Sequence, residues 1–452
     1  YKRQHIGYSS FLFLSVAAGS STLYQEQRKE KLKNVFLSEF HIPISIIVPA
    51  YNEETTVVAT VRSLLALDYQ SYEIVVVDDG SGDSTSQQLI EAFQMHRVRM
   101  PIRRQLPCRQ EEFVYISLEE KVRLTLIRKR NGGKADALNM GINAAAYPYF
   151  ICIDADSVLQ YNSLRNIAKP ILEDGRVVAV GGCVRPCNGL EFENSRVKKY
   201  RLPKNLLACM QVLEYDRSFL ASRILFDKFN GSLIISGAFG LFRKDMVIAA
   251  GGYDTNTMGE DMELVVKLHE YCVANDQPYL IRYAPDAICW TQVPESYRDL
   301  CKQRRRWHIG LIQSMVKHRN IISDRKYGAL GSVSYVYFLL YELLSPYIET
   351  FGVLTMLLAY FVDLINVPFM VLFMLIYAAY SAILSLTAFF ARIYTIDLST
   401  SAGDILRALL LCLFEVTVLR FGLAWVRATA VFGYRRKKND WGRIERKKIQ
   451  ID

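Results

Sequence analysis

Residues 73–82 read Glu-Ile-Val-Val-Val-Asp-Asp-Gly-Ser-Gly, an apolar run of branched side chains that stops at two carboxylates and a glycine turn. A run with no polar face predicts a short strand buried on both sides, and the acids mark where the chain leaves the sheet. Upstream, 44–49 repeats the pattern and ends at Tyr51-Asn52-Glu53, before apolar residues at helical spacing, Val58, Val61, Leu64 and Leu65. Downstream come a helix through Leu89 and Phe93, a strand over 123–127, a helix over 135–146, and a strand over 149–153 that runs into Asp154-Ala155-Asp156. Strands alternating with helices predict an α/β fold, a Rossmann-like and mostly parallel sheet whose ligand crevice lies at the carboxyl ends of the strands.

Neither GxGxxG nor GxxxxGK[ST] occurs, so the dinucleotide and P-loop readings lose their support. Acids after each strand fit a different ligand. A Mg²⁺ or Mn²⁺ ion bridging a diphosphate takes hard oxygen donors, commonly one or two carboxylates plus phosphate oxygens, and Asp154 and Asp156 leave one strand end at a spacing that suits this.

The 452 residues carry 55 Lys and Arg against 45 Asp and Glu, a formal +10, with 51% hydrophobic and 22% charged residues, which excludes a disordered chain. Mean hydropathy, +0.09, suits a polar domain joined to a membrane part. Residues 335–390 are nearly continuously apolar, whereas 406–432 carry Arg407, Glu415, Arg420 and Arg427, so that stretch either spans while facing other helices or lies in the interface. Pro346, near Glu342 and Glu349, marks a kink along a polar path or a break between two shorter helices. The expected organisation is the end of a truncated transmembrane helix at 1–25, a cytosolic domain at 41–325 closing in an amphipathic interface helix at 302–318, transmembrane or interface helices at 330–432, and a basic cytosolic tail at 433–452. Basic clusters at 304–306, 435–438 and 446–448 place both flanks in the cytoplasm, with an even number of crossings between them. This makes a multi-pass protein of the plasma (inner) membrane. The nine cysteines lack a CxxC and read as reduced thiols. Segments 94–120 and 185–201 read as polar surface excursions, and Gln-Val-Leu-Glu-Tyr from Gln211 reads as a helix near the membrane with no assigned chemistry. The basic residues concentrate at the membrane flanks and no nucleic-acid motif is present, so no nucleic-acid partner is expected.

Six ordered motifs complete the reading: Pro49-Ala50-Tyr51-Asn52-Glu53, Val77-Asp78-Asp79-Gly80-Ser81, Gly132-Gly133-Lys134-Ala135, Asp154-Ala155-Asp156, Gly259-Glu260-Asp261, and Gln303-Arg304-Arg305-Arg306-Trp307, a QxxRW pattern. Together they resemble the family 2 glycosyltransferases, within them the membrane-integrated processive synthases of cellulose, hyaluronan, chitin and poly-N-acetylglucosamine. The resemblance covers about 44–315 and the helices that follow. It implies a GT-A type catalytic domain and a UDP-sugar donor. Tyr51 and Glu53 would meet the uracil, Asp78 and Asp79 the nucleoside, Lys134 the diphosphate, and Asp156 with Asp154 the Mg²⁺ or Mn²⁺. Gln303 and Arg306 would serve the nucleotide sugar, and Arg306 would help offset the charge of the leaving diphosphate. Trp307 would face the acceptor sugar, its other reading being a lipid-interface anchor. The apolar run 234–242 with its two glycines reads as a backbone passing close to something; in the resembled family the matching region lies near the acceptor, which makes Ser236, Phe239 and Arg243 acceptor candidates. By its residues alone Asp261 reads as an acidic cap of a helix through Met262, Leu264, Val265 and Leu268; the resemblance makes it the general base, with Glu260 beside it. Gly259 stands where many relatives carry Thr. The expected activity is inverting polymerisation of UDP-glucose into an exported β-glucan, with a growing polysaccharide, the bilayer and export proteins as partners. The alternatives are an amino-sugar polymer made from UDP-N-acetylglucosamine and a non-processive transfer to lipid.

Overall fold

A computed structural model describes residues 41–193, 195–199, 201–372, 374–376, 379–380, 382–383, 385, 402–414 and 419–433. The helix expected at 1–25 and all but the first residue of the tail lie outside these, as do 386–401 and 415–418 of the apolar region. The described chain forms two compact units, 41–199 with 232–292, and 201–231 with 293–433.

The first unit is built on strands β1 (Ile44–Ala50), β2 (Tyr72–Asp78), β3 (His96–Val98), β4 (Glu111–Ser117), β5 (Arg123–Lys129), β6 (Tyr149–Cys152), β7 (Ser157–Leu159), β8 (Val177–Pro186), β9 (Glu191–Glu193), β10 (Arg196–Lys199), β11 (Gly240–Arg243) and β12 (Leu280–Thr291). Ten of them form one sheet in the order β3-β4-β5-β2-β1-β6-β11-β8-β12-β7, and β9 and β10 form a separate hairpin. Its main helices are α1 (Val57–Leu65), α2 (Thr85–Ala92), α3 (Lys134–Ala144), α4 (Ser163–Glu173) and α5 (Glu260–Ala274).

The parallel block β5-β2-β1-β6 arises as expected, with Val48 level with Val76 and Ile46 with Ile151. Around it the sheet is mixed, a correction to the mostly parallel expectation. β4 joins β5 through only the five residues 118–122, too few for a parallel crossover, so the two pair antiparallel. β3 adds to β4 in the same way, and 94–120 is therefore the sheet's edge and not a surface excursion. β11 runs antiparallel between β6 and β8, with Leu241 level with Ile151 and Val180. Segment 185–201 likewise holds the end of β8 and the β9/β10 hairpin. Ile47, Val75, Val77 and Ile127 of the sheet cluster with Leu138 and Ile142 of α3 and Leu264, Val265 and Leu268 of α5, all buried. Each such side chain contributes about 1.5–3 kcal/mol on leaving water.

The rear of α5 is pinned by His269, which is buried, with Nε2 2.9 Å from the Ser232 carbonyl and Nδ1 2.7 Å from the Tyr279 hydroxyl. A carbonyl only accepts, so Nε2 carries the proton and Nδ1 accepts from Tyr279. Burial drops the imidazole pKa to about 4, against the opposing effect of the Ser232 contact. In the unfolded chain the group titrates near 6.5. Stability from the neutral ring is therefore complete above about pH 6.5 and is lost towards pH 4, by about 3 kcal/mol. Urea melts at pH 7.5 and 4.5 check this: the His269→Gln variant, lower in stability at pH 7.5, should lose less than wild type on acidification. Equal losses in the two proteins would dismiss it.

The second unit packs helices Leu206–Arg217, Tyr297–Lys317, Ala402–Phe414 and Arg420–Ala428 around Cys209, Leu213, Leu300, Ala408, Leu411 and Leu423. No single helix among the described residues is long and apolar enough to cross a membrane. Leu330–Leu343 and Ser345–Phe361 are so together, but they meet at a 41° bend. Pro346 lies in the first turn of the second, where its missing N–H is tolerated, so the break is the reading that holds. Charges in this region are paired: Arg420 binds Glu349 at 2.6 Å, and Arg427 approaches Glu342 at 3.4 Å.

Candidate active site

The crevice loops follow β1, β2, β5 and β6. Asn52 has a positive φ of 55°, and its side-chain oxygen accepts from Gly82 N at 2.9 Å while its own N–H donates to Ser81 Oγ at 3.0 Å. The first two loops are thereby laced together. Tyr51, 47% exposed, stands outside this lacing, and Glu53 accepts from Thr56 Oγ1 at 2.8 Å at the start of α1.

Asp78 and Asp79 sit differently from the nucleoside contacts that the resemblance implies. Asp78 is fully buried and accepts from Ser81 N at 2.8 Å and from the Ser86 hydroxyl, tying the turn to α2. Asp79, also buried, accepts from the Lys129 ammonium and from Gly132 N and Gly133 N at 3.0 and 2.7 Å. Burial pushes the Asp79 pKa up, more than Lys129 and these N–H groups pull it down. Both carboxylates are framework groups here, turned to the chain's own donors.

The centre forms where α3 begins. Lys134 Nζ is 2.6 Å from Asp154 Oδ1, at the end of β6, and 3.6 Å from Glu260 Oε1, in the first turn of α5. Asp261 accepts from Gly237 N at 3.1 Å. A Cβ at Gly237 would stand 3.3 Å from the Asp261 Cβ and 3.5 Å from Lys134 Nζ, so a glycine lets this loop close over the pair. Burial works to lower the Lys134 pKa, but Asp154, Glu260 and Asp261 outweigh it and hold the group above its ordinary range, a permanent ammonium. Four of the expected site residues, from three elements, thus converge at the carboxyl end of the sheet.

Asp156 lies buried two residues on, 3.4 Å from the Ser157 hydroxyl, and Thr60 Oγ1 anchors this turn through the Ala155 carbonyl at 2.7 Å. Among the described residues no cluster of three or more His, Cys, Asp or Glu is arranged to hold an ion. Two carboxylates on one turn match a Mg²⁺ or Mn²⁺ that completes its shell with phosphate and water, not a cage supplied wholly by protein. All nine cysteines are free thiols.

Ser236, partly exposed, opens the turn before Gly237, its carbonyl accepting from Phe239 N at 3.0 Å. Two acceptor candidates are corrected. Phe239 is 0% exposed, and its ring fills the space a Cβ on Gly182 would need, so it is core. Arg243 pairs in register with Tyr149, at the opposite end of β6 from Asp154, and binds Asp245 at 2.6 Å.

Gln303, Arg306 and Trp307 belong to the second unit, on a helix that starts at Tyr297, capped by Ser296 Oγ accepting from Asp299 N at 3.2 Å. Trp307 is 41% exposed, and the Arg304 guanidinium lies 4.5 Å over its ring. Arg304 is itself buried and bound to Glu214 at 2.7 Å. Sequence reasoning missed this support. Its signal was Glu214, an acid in the helical stretch after Gln211.

Comparison with known proteins bears on the family and the fold. Residues 149–432 match glycosyl transferase family group 2, and 45–107 match glycosyl transferase family 2. The poly-β-1,6-N-acetyl-D-glucosamine synthases of Staphylococcus aureus and Staphylococcus epidermidis are 31% and 32% identical over 272 residues, 59% of this chain and 54% of theirs. The chain thus spans about half the length of these curated relatives, which back the amino-sugar alternative better than the β-glucan expectation. A solved mannosyltransferase from Pyrobaculum calidifontis, in complex with GDP-Man and Mn²⁺, superposes with a TM-score of 0.52 at 18% identity, over 95% of this chain and 99% of its own, and shares the fold. Because one family match alone covers well over half its length, the chain belongs to glycosyl transferase family group 2 and is a glycosyltransferase.

Proposed function

We propose that the chain transfers N-acetylglucosamine from UDP-N-acetylglucosamine, with inversion, to the end of a growing β-linked amino-sugar polymer at a membrane. The observation that carries this reading is the convergence of Lys134, Asp154, Glu260 and Asp261 in a chain 31% identical to amino-sugar polymer synthases. In this reading Asp261 takes the proton of the acceptor hydroxyl as its oxygen bonds to the anomeric carbon, and the bond from that carbon to the diphosphate oxygen breaks, UDP leaving with the electron pair. Lys134 presents its fixed ammonium to the diphosphate as charge develops there. Asp156 and Asp154 would hold Mg²⁺ or Mn²⁺, which neutralises diphosphate charge when bound. Tyr51 and Glu53 take the nucleoside side, Gln303 and Arg306 the nucleotide sugar, and the half-exposed Trp307 a sugar of the acceptor. Phe351, Leu354, Leu358 and Phe361 make an exposed apolar face on the helix Ser345–Phe361, which supports membrane association; the cytosolic placement proposed for the catalytic unit rests on the basic flanks.

The test is UDP release by the membrane-extracted protein with Mg²⁺ or Mn²⁺ across a panel of UDP-sugars, with sizing of the product. Release with UDP-N-acetylglucosamine and a long product cleaved by a hexosaminidase is the expected result. Release with UDP-glucose alone would return the β-glucan reading, and a short lipid-linked product would return the non-processive one.

A further inference from the structure

The Lys129 side chain is 0% exposed, and the reaction as proposed makes no use of it. Its ammonium has three N–H donors and three acceptors: Asp79 Oδ1, Asp136 Oδ1 at 2.6 Å, and the Arg130 carbonyl at 2.7 Å. A buried cation satisfied this fully is held in one place, and so are the groups that hold it. The two carboxylates pass the constraint to the backbone. Asp79 accepts from Gly132 N and Gly133 N, Asp136 accepts from Arg109 N at 3.1 Å, and the Asn131 amide donates to the Asp79 carbonyl at 2.9 Å. Two glycines make the approach possible: Gly133 has φ 90°, and a Cβ at Gly80 would meet Asn131 N at 2.9 Å. The bonds to Arg130, Asn131, Gly132 and Gly133 fix 130–133, α3 starts at the next residue, Lys134, and those of Asp136 tie its first turn to Lys129 and Arg109.

We infer that Lys129 is a positioning residue for glycosyl transfer: through Asp79 and Asp136 it sets the Gly132-Gly133 backbone from which Lys134 reaches Asp154 and the donor diphosphate. The inference rests on the transferase reading above. It also gives Asp79 a task at the site without a direct nucleoside contact. Without the ammonium, two buried carboxylates face each other uncompensated, and Asp79 keeps only its peptide N–H donors while repelled by Asp136, so the 130–133 backbone it holds shifts with it. Displacing a binding group by about 1 Å is enough for a loss of about a hundredfold.

The experiment compares Lys129→Met, the double variant Lys129→Met/Asp136→Asn, and wild type, by donor kinetics, UDP binding calorimetry and thermal melting. Asparagine at 136 retains an oxygen for Arg109 N while removing one of the two charges. We expect Lys129→Met to lower kcat/KM about ten- to hundredfold, chiefly through a higher donor KM, with weaker UDP binding. The double variant should recover most of that loss. Wild-type kcat/KM and UDP affinity in Lys129→Met, with only the melting temperature lowered, would make Lys129 a merely structural residue and overturn the inference. Should Lys129→Met not fold, a folded double variant as defective as a Lys134→Met control would overturn it equally. A wild type that releases no UDP from any donor instead overturns the transferase reading, and UDP calorimetry then still decides between a positioning and a structural Lys129.

Discussion

Asp261→Asn lowers UDP release by about 10³–10⁴ at saturating donor, while the melting temperature and UDP affinity stay near those of wild type. The substitution is nearly isosteric. Its side-chain oxygen still accepts from Gly237 N, the contact that joins the 232–239 loop to α5, so the geometry around Lys134 is retained. What disappears is the negative charge and the site for a proton. Asp261 occupies the first turn of α5, where its carboxylate also accepts from Met262 N at 2.8 Å. Glu260 shares that turn, but its carboxylate lies 3.6 Å from the Lys134 ammonium and is engaged as a partner to it. Glu260→Gln should therefore lose about tenfold, through weaker placement of Lys134. If Glu260→Gln is the inactive variant and Asp261→Asn stays within tenfold of wild type, the base is Glu260 and the roles are exchanged.

The contrast between these two neighbours shows what could be read from residues in order. β1, β2, β5 and β6 were legible because each is a buried run flanked by turn residues, a local signal. β4, Glu-Glu-Phe-Val-Tyr-Ile-Ser, was not, because its apolar run is only the four residues 113–116, set in an arginine-rich segment, too short a signal to mark a strand by itself. β11 was hidden for another reason. Its place between β6 and β8 is set by pairing with residues about 60 to 90 positions away, which a window of sequence does not contain. The same distinction separates the site residues. Asp154 stood out because acids leaving a strand end suit a diphosphate-bridging cation, whereas Lys134 and Asp261 were singled out by the ordered motifs they stand in, since an acid at a helix start reads by itself as a cap. Phe239 was misplaced because an apolar residue beside glycines reads alike whether it lines a crevice or fills the space over Gly182. Arg304 was invisible because its partner, Glu214, is 90 residues away.

Lys134→Met reduces kcat/KM by about 10²–10³, and Lys134→Arg restores only part of it. The ammonium is a compact point charge in a space bounded by Asp154, Glu260 and the Gly237 turn, and a guanidinium there keeps the charge but not the fit. Methionine matches the length of the stem and removes the charge, so Asp154, Glu260 and Asp261 face one another without their shared cation. The donor adds further negative charge to that group, and its binding suffers first. The loss should therefore enter through KM before kcat, unlike that of Asp261→Asn. The pH behaviour separates this from a general loss of structure. The neighbouring acids raise the folded Lys134 pKa above its unfolded value near 10.4, so the stabilisation is fully present below about pH 10 and is lost only as pH rises through the folded value. The melting offset between wild type and Lys134→Met should accordingly stay flat between about pH 7 and 9. An offset that shrinks steadily across that range would mean that Lys134 exchanges its proton near neutrality. It would then be a poor fixed counter-charge for a diphosphate and a candidate for proton transfer instead.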